Sequence, residues 1–377
     1  MLSISPLYPM GEVRWDGSSQ PLYLSSYRER RIILGDYYRV PASKTLAPTQ
    51  NCIEYIFMND PIRQHFLPQF YLEGFVIRPV SDPPKFWFFN FRDQKWHVRT
   101  PINTAVRKHY YTLKDQDESK NYYVEKYLSD LEGKVKDLLD RKIRKNLRPK
   151  TCEHIATLAV FVSITRTRVP FYRDKIEDFN IEIVEQMMSM MRHRAKTDPN
   201  YLKQLERDYE RDMGEKLGLD QINPDNFMNT DKFKIRMNQN WLIGLSLSHI
   251  DKMSQILCDM KWTVYRTTPD APFITCDNPY FEINPKSTSV WDRSGLLNKD
   301  IEIILPLDSQ YCFFASWKKA PQWFSTASLG LVAEINLRIM LGAREFIISS
   351  SQDFQSSKKL QEIATRAHQR MMKAEWK

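Results

Sequence analysis

The chain has 377 residues, more than one hydrophobic core usually organises, so two modules or a single core carrying a large helical insertion are expected. Hydrophobic residues make up 42% and charged residues 27%, and only 11 glycines occur, which argues against long disordered tracts. The formal charge of +9 favours anionic partners, nucleic acid or nucleotides first, without saying anything about chemistry.

The five cysteines are odd in number and widely spaced, with no close pair of the kind that holds zinc or cycles a disulfide. They point to a reducing, cytoplasmic compartment. The first 23 residues contain Glu12, Arg14 and Asp16 and lack the apolar run of a signal peptide, and no stretch of 18 apolar residues follows, so no membrane span is expected.

Residues 1–50 carry five prolines and little periodicity, which predicts an irregular N-terminal arm. A β-rich part spans 51–118, in which Lys85–Phe91 and Trp96–Thr100 flank Arg92–Lys95 as a hairpin. A helical region covers 119–260. Its first helix shows Val124, Leu128, Leu131, Val135 and Leu138 at helical spacing and runs to about Asn146, and a second runs from Thr151 to Arg168 before Pro170. Further helices are expected over 181–216 and 233–260, with a turn-rich stretch between them.

A second β-rich part spans 261–350, with strands at 262–265, 272–275, 301–305 and 311–314 and a helix near 331–341; a C-terminal helix covers 351–377. Strands segregated from helices define an α+β class, and the two β-rich parts can share one sheet.

Several polar residues stand where chemistry is feasible. His65 precedes Pro68, which can open a short helix whose positive end keeps imidazole neutral; packing or capping is the alternative. Gln69 and Glu73 lie one turn apart on that helix. Glu125 and Glu132 are aligned on the first long helix, as a carboxylate pair or as solvated flanking charges. Arg166 extends the apolar stripe of Ile155, Leu158, Ala159 and Val162, which predicts a buried pair with Glu132 or a bound phosphate. Asp277 and Asn278 sit at a strand end, suited either to a ligand or to turn chemistry before Pro279.

Arg141, Lys142, Arg144, Lys145, Arg148 and Lys150 form a run without an acid, a phosphate-binding patch or a solvated helix end. The Met187, Met188, Met190 and Met191 cluster offers a soft surface to a protein partner or packs inside. Glycine-rich phosphate loops, nucleophile elbows and His-Glu-x-x-His are all missing, which disfavours several well-marked enzyme classes.

Taken in order, His65–Phe75, Tyr111-Thr112, the Glu125–Glu132 helix, Arg166–Pro170, Phe273–Pro279, Leu305–Asp308, Asn336, Ala343 and Phe346 resemble domain-of-unknown-function family 4238 over about residues 60–350. The resemblance marks His65, Glu132, Arg166, Asp277 and Asn278 as the motif-bearing polar positions without assigning roles. Cys276 stands where the family tends to have serine, which weakens any role that needs a hydroxyl there.

The function expected from these residues is a hydrolase of phosphodiester bonds in nucleic acid or a nucleotide, with His65, Glu132, Arg166, Asp277 and Asn278 converging beneath a basic face. No cofactor is fixed by the residues, although a divalent metal is compatible with the donors. A non-catalytic nucleic-acid-binding or sensor protein is the alternative, and a protein-interaction scaffold a third.

Overall fold

The structure, a computed structural model, describes residues 62–115, 119–214, 235–286, 295–318 and 322–352. The predicted N-terminal arm and C-terminal helix therefore lie outside the described residues. In chain order the elements begin with β1 (Arg63–His65), α1 (Gln69–Leu72), β2 (Phe86–Asn90), β3 (Lys95–Arg99), β4 (Val106–Lys108), β5 (Leu113–Lys114) and β6 (Lys120–Asn121). Helices α2 (Tyr123–Arg141), α3 (Cys152–Thr167), α4 (Pro170–Thr197), α5 (Pro199–Met213) and α6 (Gln239–Asp259) follow. The chain closes with β7 (Lys261–Arg266), β8 (Thr275–Cys276), β9 (Phe281–Ile283), β10 (Glu302–Pro306), β11 (Tyr311–Ser316), β12 (Phe324–Thr326), α7 (Leu329–Gly342) and β13 (Phe346–Ser349).

This is an α+β protein with strands in its N- and C-terminal parts and helices between. It divides into two compact units, the smaller drawn from residues 172–246 and the larger from residues on either side of that segment. In the smaller unit Val184, Met188, Ala195, Tyr201, Leu205 and Ile235 form the core. Met188 of the methionine cluster is thus buried, whereas Met190 is exposed.

The larger unit contains the sheets. The β2–β3 hairpin forms as expected, and β2 pairs with β13, which pairs with β8, so the order β3-β2-β13-β8 joins the two β-rich parts in one sheet. A five-stranded sheet, β12-β7-β11-β10-β9, comes entirely from the C-terminal part. Phe89 and Ile347 of the first sheet, Ile304 and Cys312 of the second, and Ile335 and Ile339 of α7 meet in one core. Among the described residues no helix is long and apolar enough to cross a membrane. Cys152, Cys258, Cys276 and Cys312 are free thiols.

Helix α2 buries the expected stripe of Val124, Leu128, Leu131, Val135 and Leu138. Helix α3 behaves differently, because every residue from Ala156 to Thr165 is buried, leaving it no solvent face.

Four boundaries depart from the sequence expectation, the first being α2, which ends at Arg141 and not near Asn146. The continuous helix expected over 181–216 is two helices. Pro199 takes the first position of α5, and the Asp198 carboxylate accepts from the N–H of Asn200 (3.0 Å) and Tyr201 (3.3 Å). Pro170, expected only as a stop, opens α4. The strand expected at 272–275 shrinks to Thr275–Cys276 because its backbone is bonded sideways to α7. Ile274 N–H donates to Asn336 Oδ1 (3.1 Å), and Asn336 Nδ2 donates to Pro272 O (3.0 Å).

Candidate functional site

Arg168 follows the last residue of α3, and its side chain is 2% exposed. A buried guanidinium must find acceptors for its donors. Here Nη1 donates to Glu132 Oε1 (2.8 Å), Nη2 to the His65 carbonyl (2.6 Å), and Nε to the Tyr111 hydroxyl (3.3 Å). The Tyr111 hydroxyl in turn donates to the Arg168 carbonyl (3.0 Å). One side chain thereby joins α2, α3, β1 and the loop carrying Tyr111. Gln64 reinforces the joint, accepting from Tyr111 N–H and donating to the Thr112 hydroxyl (3.1 Å).

His65 ends β1, which pairs antiparallel with β4. Its Nε2 lies 3.3 Å from the Pro101 carbonyl. A carbonyl only accepts, so Nε2 carries the proton and the neutral ring leaves Nδ1 as an acceptor. Burial lowers the His65 pKa, helped by the charges of Arg168 and Arg63; the Pro101 bond and Glu132 oppose it. Neutral imidazole was expected from a helix dipole, but α1 has only four residues and burial is the larger cause.

Glu125 and Glu132 share one face of α2, and both lie in the field of Arg168. They are not equivalent. Glu132 holds the guanidinium, whereas Glu125 Oε2 is buried with no hydrogen-bond partner. Burial raises the Glu125 carboxyl to about 6; Arg168 opposes the rise and Glu132 adds to it.

The expected pairing of Arg166 with Glu132 is corrected by this geometry. Arg166 donates instead to Glu282 Oε1 on β9 (2.7 Å), lies 5.2 Å above the Tyr280 ring and is 24% exposed. On a helix, residues two apart point about 200° away from each other, so Arg166 and Arg168 serve opposite sides of α3.

Asp277 and Asn278 are bonded to a different place. The buried Asp277 Oδ1 accepts from Arg344 N–H (2.9 Å) and Phe346 N–H (3.3 Å), fastening β8 to the turn between α7 and β13. Asn278 Nδ2 donates to the Gly342 carbonyl (3.1 Å), and Cys276, at the serine position, directs its thiol to the Ile339 carbonyl (3.5 Å). Burial raises the Asp277 carboxyl to about 6 against the N–H groups of Arg344, Glu345 and Phe346. His65 and Glu132 thus come together around Arg168, while Asp277 and Asn278 bond within the β8–α7–β13 corner.

The basic run is partly neutralised. Arg141 pairs with Asp137, and Arg144 with Asp140 and with Asp308 Oδ2 (2.8 Å). Arg148 lies 5.2 Å above the Trp323 ring, and Lys145 and Lys150 are exposed while Lys142 is half-buried. Asp308 also explains two motif residues. Its Oδ1 accepts from the N–H of Gln310 (2.8 Å) and Tyr311 (2.9 Å), and a Cβ on Gly74 would stand 2.6 Å from its Cβ, so only glycine fits there.

Arg63, Arg107 and Lys108 escaped sequence reasoning, and Arg168 entered it only within the Arg166–Pro170 motif. The β1–β4 register sets Arg63 opposite Lys108 on the strand face of His65, whereas Arg107, opposite Gln64, pairs with Glu345 (3.1 Å). Arg63 donates to neutral acceptors, Asn103 Oδ1 (2.8 Å) and the Ile102 carbonyl (3.4 Å), so its charge acts outward. The alternation Arg63-Gln-His65 was the available signal, since period two places the arginine and histidine on one strand face. Among the described residues no group of three or more His, Cys, Asp or Glu is arranged to hold a metal ion.

The site thus belongs to an α+β protein in which a histidine and two carboxylates surround a buried arginine. The chain itself belongs to the family described as protein of unknown function (DUF4238), whose model matches residues 63–353. No curated protein and no solved structure matches it.

Proposed function

We propose that the protein is a hydrolase of phosphodiester bonds in nucleic acid or a nucleotide, with His65 as proton acceptor. The observation that carries this is a half-buried neutral histidine held against the Glu132–Arg168 pair, beside the exposed Arg63. His65 Nδ1 takes a proton from water as the water oxygen bonds to phosphorus, the phosphorus–oxygen ester bond breaks and the departing oxygen takes a proton from solvent, while Arg63 on the β1–β4 ribbon attracts the phosphate. Arg168 is fully engaged inside, so it positions His65 and Glu132 and does not contact substrate.

The test is hydrolysis of bis(p-nitrophenyl) phosphate and of labelled single-stranded DNA and RNA. Wild type should turn over at least one of them and His65→Ala none. No turnover by wild type on any of the three defeats the proposal.

A non-catalytic nucleic-acid-binding protein is the second reading. It is favoured by a specific observation, that Arg168, Asp277, Asn278 and Asn336 all bond to the chain's own groups. It predicts oligonucleotide binding that weakens steeply with salt and survives His65→Ala.

A further inference from the structure

The basic run that follows α2 has no part in the site around His65, and the fold carries it across one face of the five-stranded sheet. The Tyr311 hydroxyl of β11 donates to the Arg144 carbonyl (3.0 Å). The Arg148 guanidinium lies 5.2 Å above the Trp323 ring, which packs on Trp262 of β7 at 5.7 Å. Tyr311 stands opposite Arg266 in the β11–β7 register, and Trp262, Val264 and Arg266 alternate along β7, so all of them share that face. Arg266, remote in sequence, therefore joins the run. Its Nε donates to the Thr326 hydroxyl (3.2 Å), a neutral acceptor, so its charge is kept.

Charge on this face is uneven. Asp137, Asp140 and Asp308 are taken up by Arg141 and Arg144. Lys145, Arg148, Lys150 and Arg266 are exposed and, among the described residues, pair with no carboxylate. Glu153 and Asp270, close to Lys150 and Arg266 in sequence, are exposed too, so the face stays positive. A guanidinium stacked on an indole loses little further freedom when its fork meets a phosphate.

We propose that this face anchors the phosphate backbone of a nucleic-acid strand through Lys145, Arg148, Lys150 and Arg266. The inference rests on the proposed hydrolase reading and names its substrate as a polymer. Nine residues of α2, about 14 Å, separate Glu132 beside Arg168 from Arg141 at the start of the run. A ligand that reaches both places is a strand of at least about four nucleotides at about 3.4 Å each, and a mononucleotide reaches only one.

Fluorescence anisotropy with labelled strands of about 3 and about 12 nucleotides, from about 50 to 200 mM salt, tests the face. The longer strand should bind wild type at least about tenfold tighter, with a salt slope of about 3, from about 0.7 for each of the four cations. His65→Ala replaces wild type as the host where the strand is cleaved. Lys145→Ala, Arg148→Ala and Arg266→Ala should each weaken the longer strand about threefold or more and lower the slope by about 0.7. Arg141→Ala, whose charge is already paired with Asp137, should stay within about twofold of wild type. The Lys145 side chain bonds nothing among the described residues, so its removal leaves the fold intact, and melting curves control the other variants. No binding of the longer strand, equal affinity for the two strands, an unchanged affinity in Arg266→Ala, or a loss in Arg141→Ala as large as that in Arg148→Ala overturns the anchoring face. A wild type that binds the longer strand as expected but hydrolyses no substrate overturns the hydrolase reading alone. One that hydrolyses bis(p-nitrophenyl) phosphate and binds the two strands alike overturns the anchoring face alone.

Discussion

Arg166 and Arg168 stand two residues apart at the end of α3 and meet different surroundings. Arg168 is enclosed, with its three donor nitrogens bonded to α2, β1 and Tyr111. Arg166 turns to α6 and β9, where it bonds Glu282, approaches the Met253 sulfur at 3.7 Å and keeps a quarter of its side chain in solvent. The same residue type therefore acts as an internal joint on one side of the helix and a rim ion pair on the other. The difference lies in burial, since a charge removed from water gains its value only from complete bonding, while a half-solvated one can do with less.

The comparison breaks first at Arg168. Arg168→Ala removes three bonds at once, to Glu132, to the His65 carbonyl and to the Tyr111 hydroxyl, and empties the space of a side chain that is 2% exposed, so it should cost about 3–5 kcal/mol. Chemical denaturation measures it. A loss below about 1 kcal/mol would mean that the enclosed arginine is no joint.

Asp277 supplies a third case, a buried carboxylate answered by backbone N–H groups and not by a facing guanidinium. Its pKa is raised from 3.8 to about 6, so the folded state holds the proton more tightly than the unfolded chain. Its contribution is fully present below about pH 4 and is lost as pH rises through about 6, by roughly 3 kcal/mol at full ionisation. Asp277→Asn keeps an acceptor for Arg344 and Phe346 and should flatten that dependence, read as melting temperature against pH from 4 to 7. A wild-type stability that rises across that interval, and falls back in the variant, would reverse the sign.

Glu132→Gln sharpens the comparison from the acidic side. The amide oxygen still accepts from Arg168 Nη1, so the loss should be about 1–2 kcal/mol, well below that of Arg168→Ala. Equal losses would show that the charge of Glu132, and not the occupancy of its bond, holds the joint.

Much of the fold was legible because its cause is local. Period two marked β2 and β3, period 3.6 marked α2, and Thr151 stood where its hydroxyl accepts from His154 N–H (3.2 Å) to open α3. β13 was not, since Phe346–Ser349 is four residues long, wholly buried and without alternation. The site was half legible. His65, Glu132 and Glu125 were visible as polar residues on regular elements, but Arg168 was passed over in favour of Arg166 because a stripe was read into a helix that is buried all round. Where α3 is buried on every side from Ala156 to Thr165, spacing cannot say which face an arginine shares. The bonds of Asp277 and Asn278 to the β8–α7–β13 corner were not legible, because a polar turn at a strand end does not reveal that a second strand and a helix end close over it.

The smallest effect tests the other arginine. Arg166→Ala removes a bond to Glu282, whose side chain is 19% exposed, and a contact 5.2 Å from the Tyr280 ring. Water can solvate the remaining carboxylate, and the Tyr280 hydroxyl already donates to Glu282 Oε2 (3.2 Å), so little is stranded. The expected cost is about 1 kcal/mol, a few-fold less than that of Arg168→Ala in the same denaturation experiment. The two variants should also separate in oligonucleotide titrations at low salt. If Arg166 only ties α3 to β9, its removal leaves affinity within about twofold. A loss of about tenfold or more with stability unchanged would place phosphate on the α6–β9 side of the helix and move the proposed substrate away from His65.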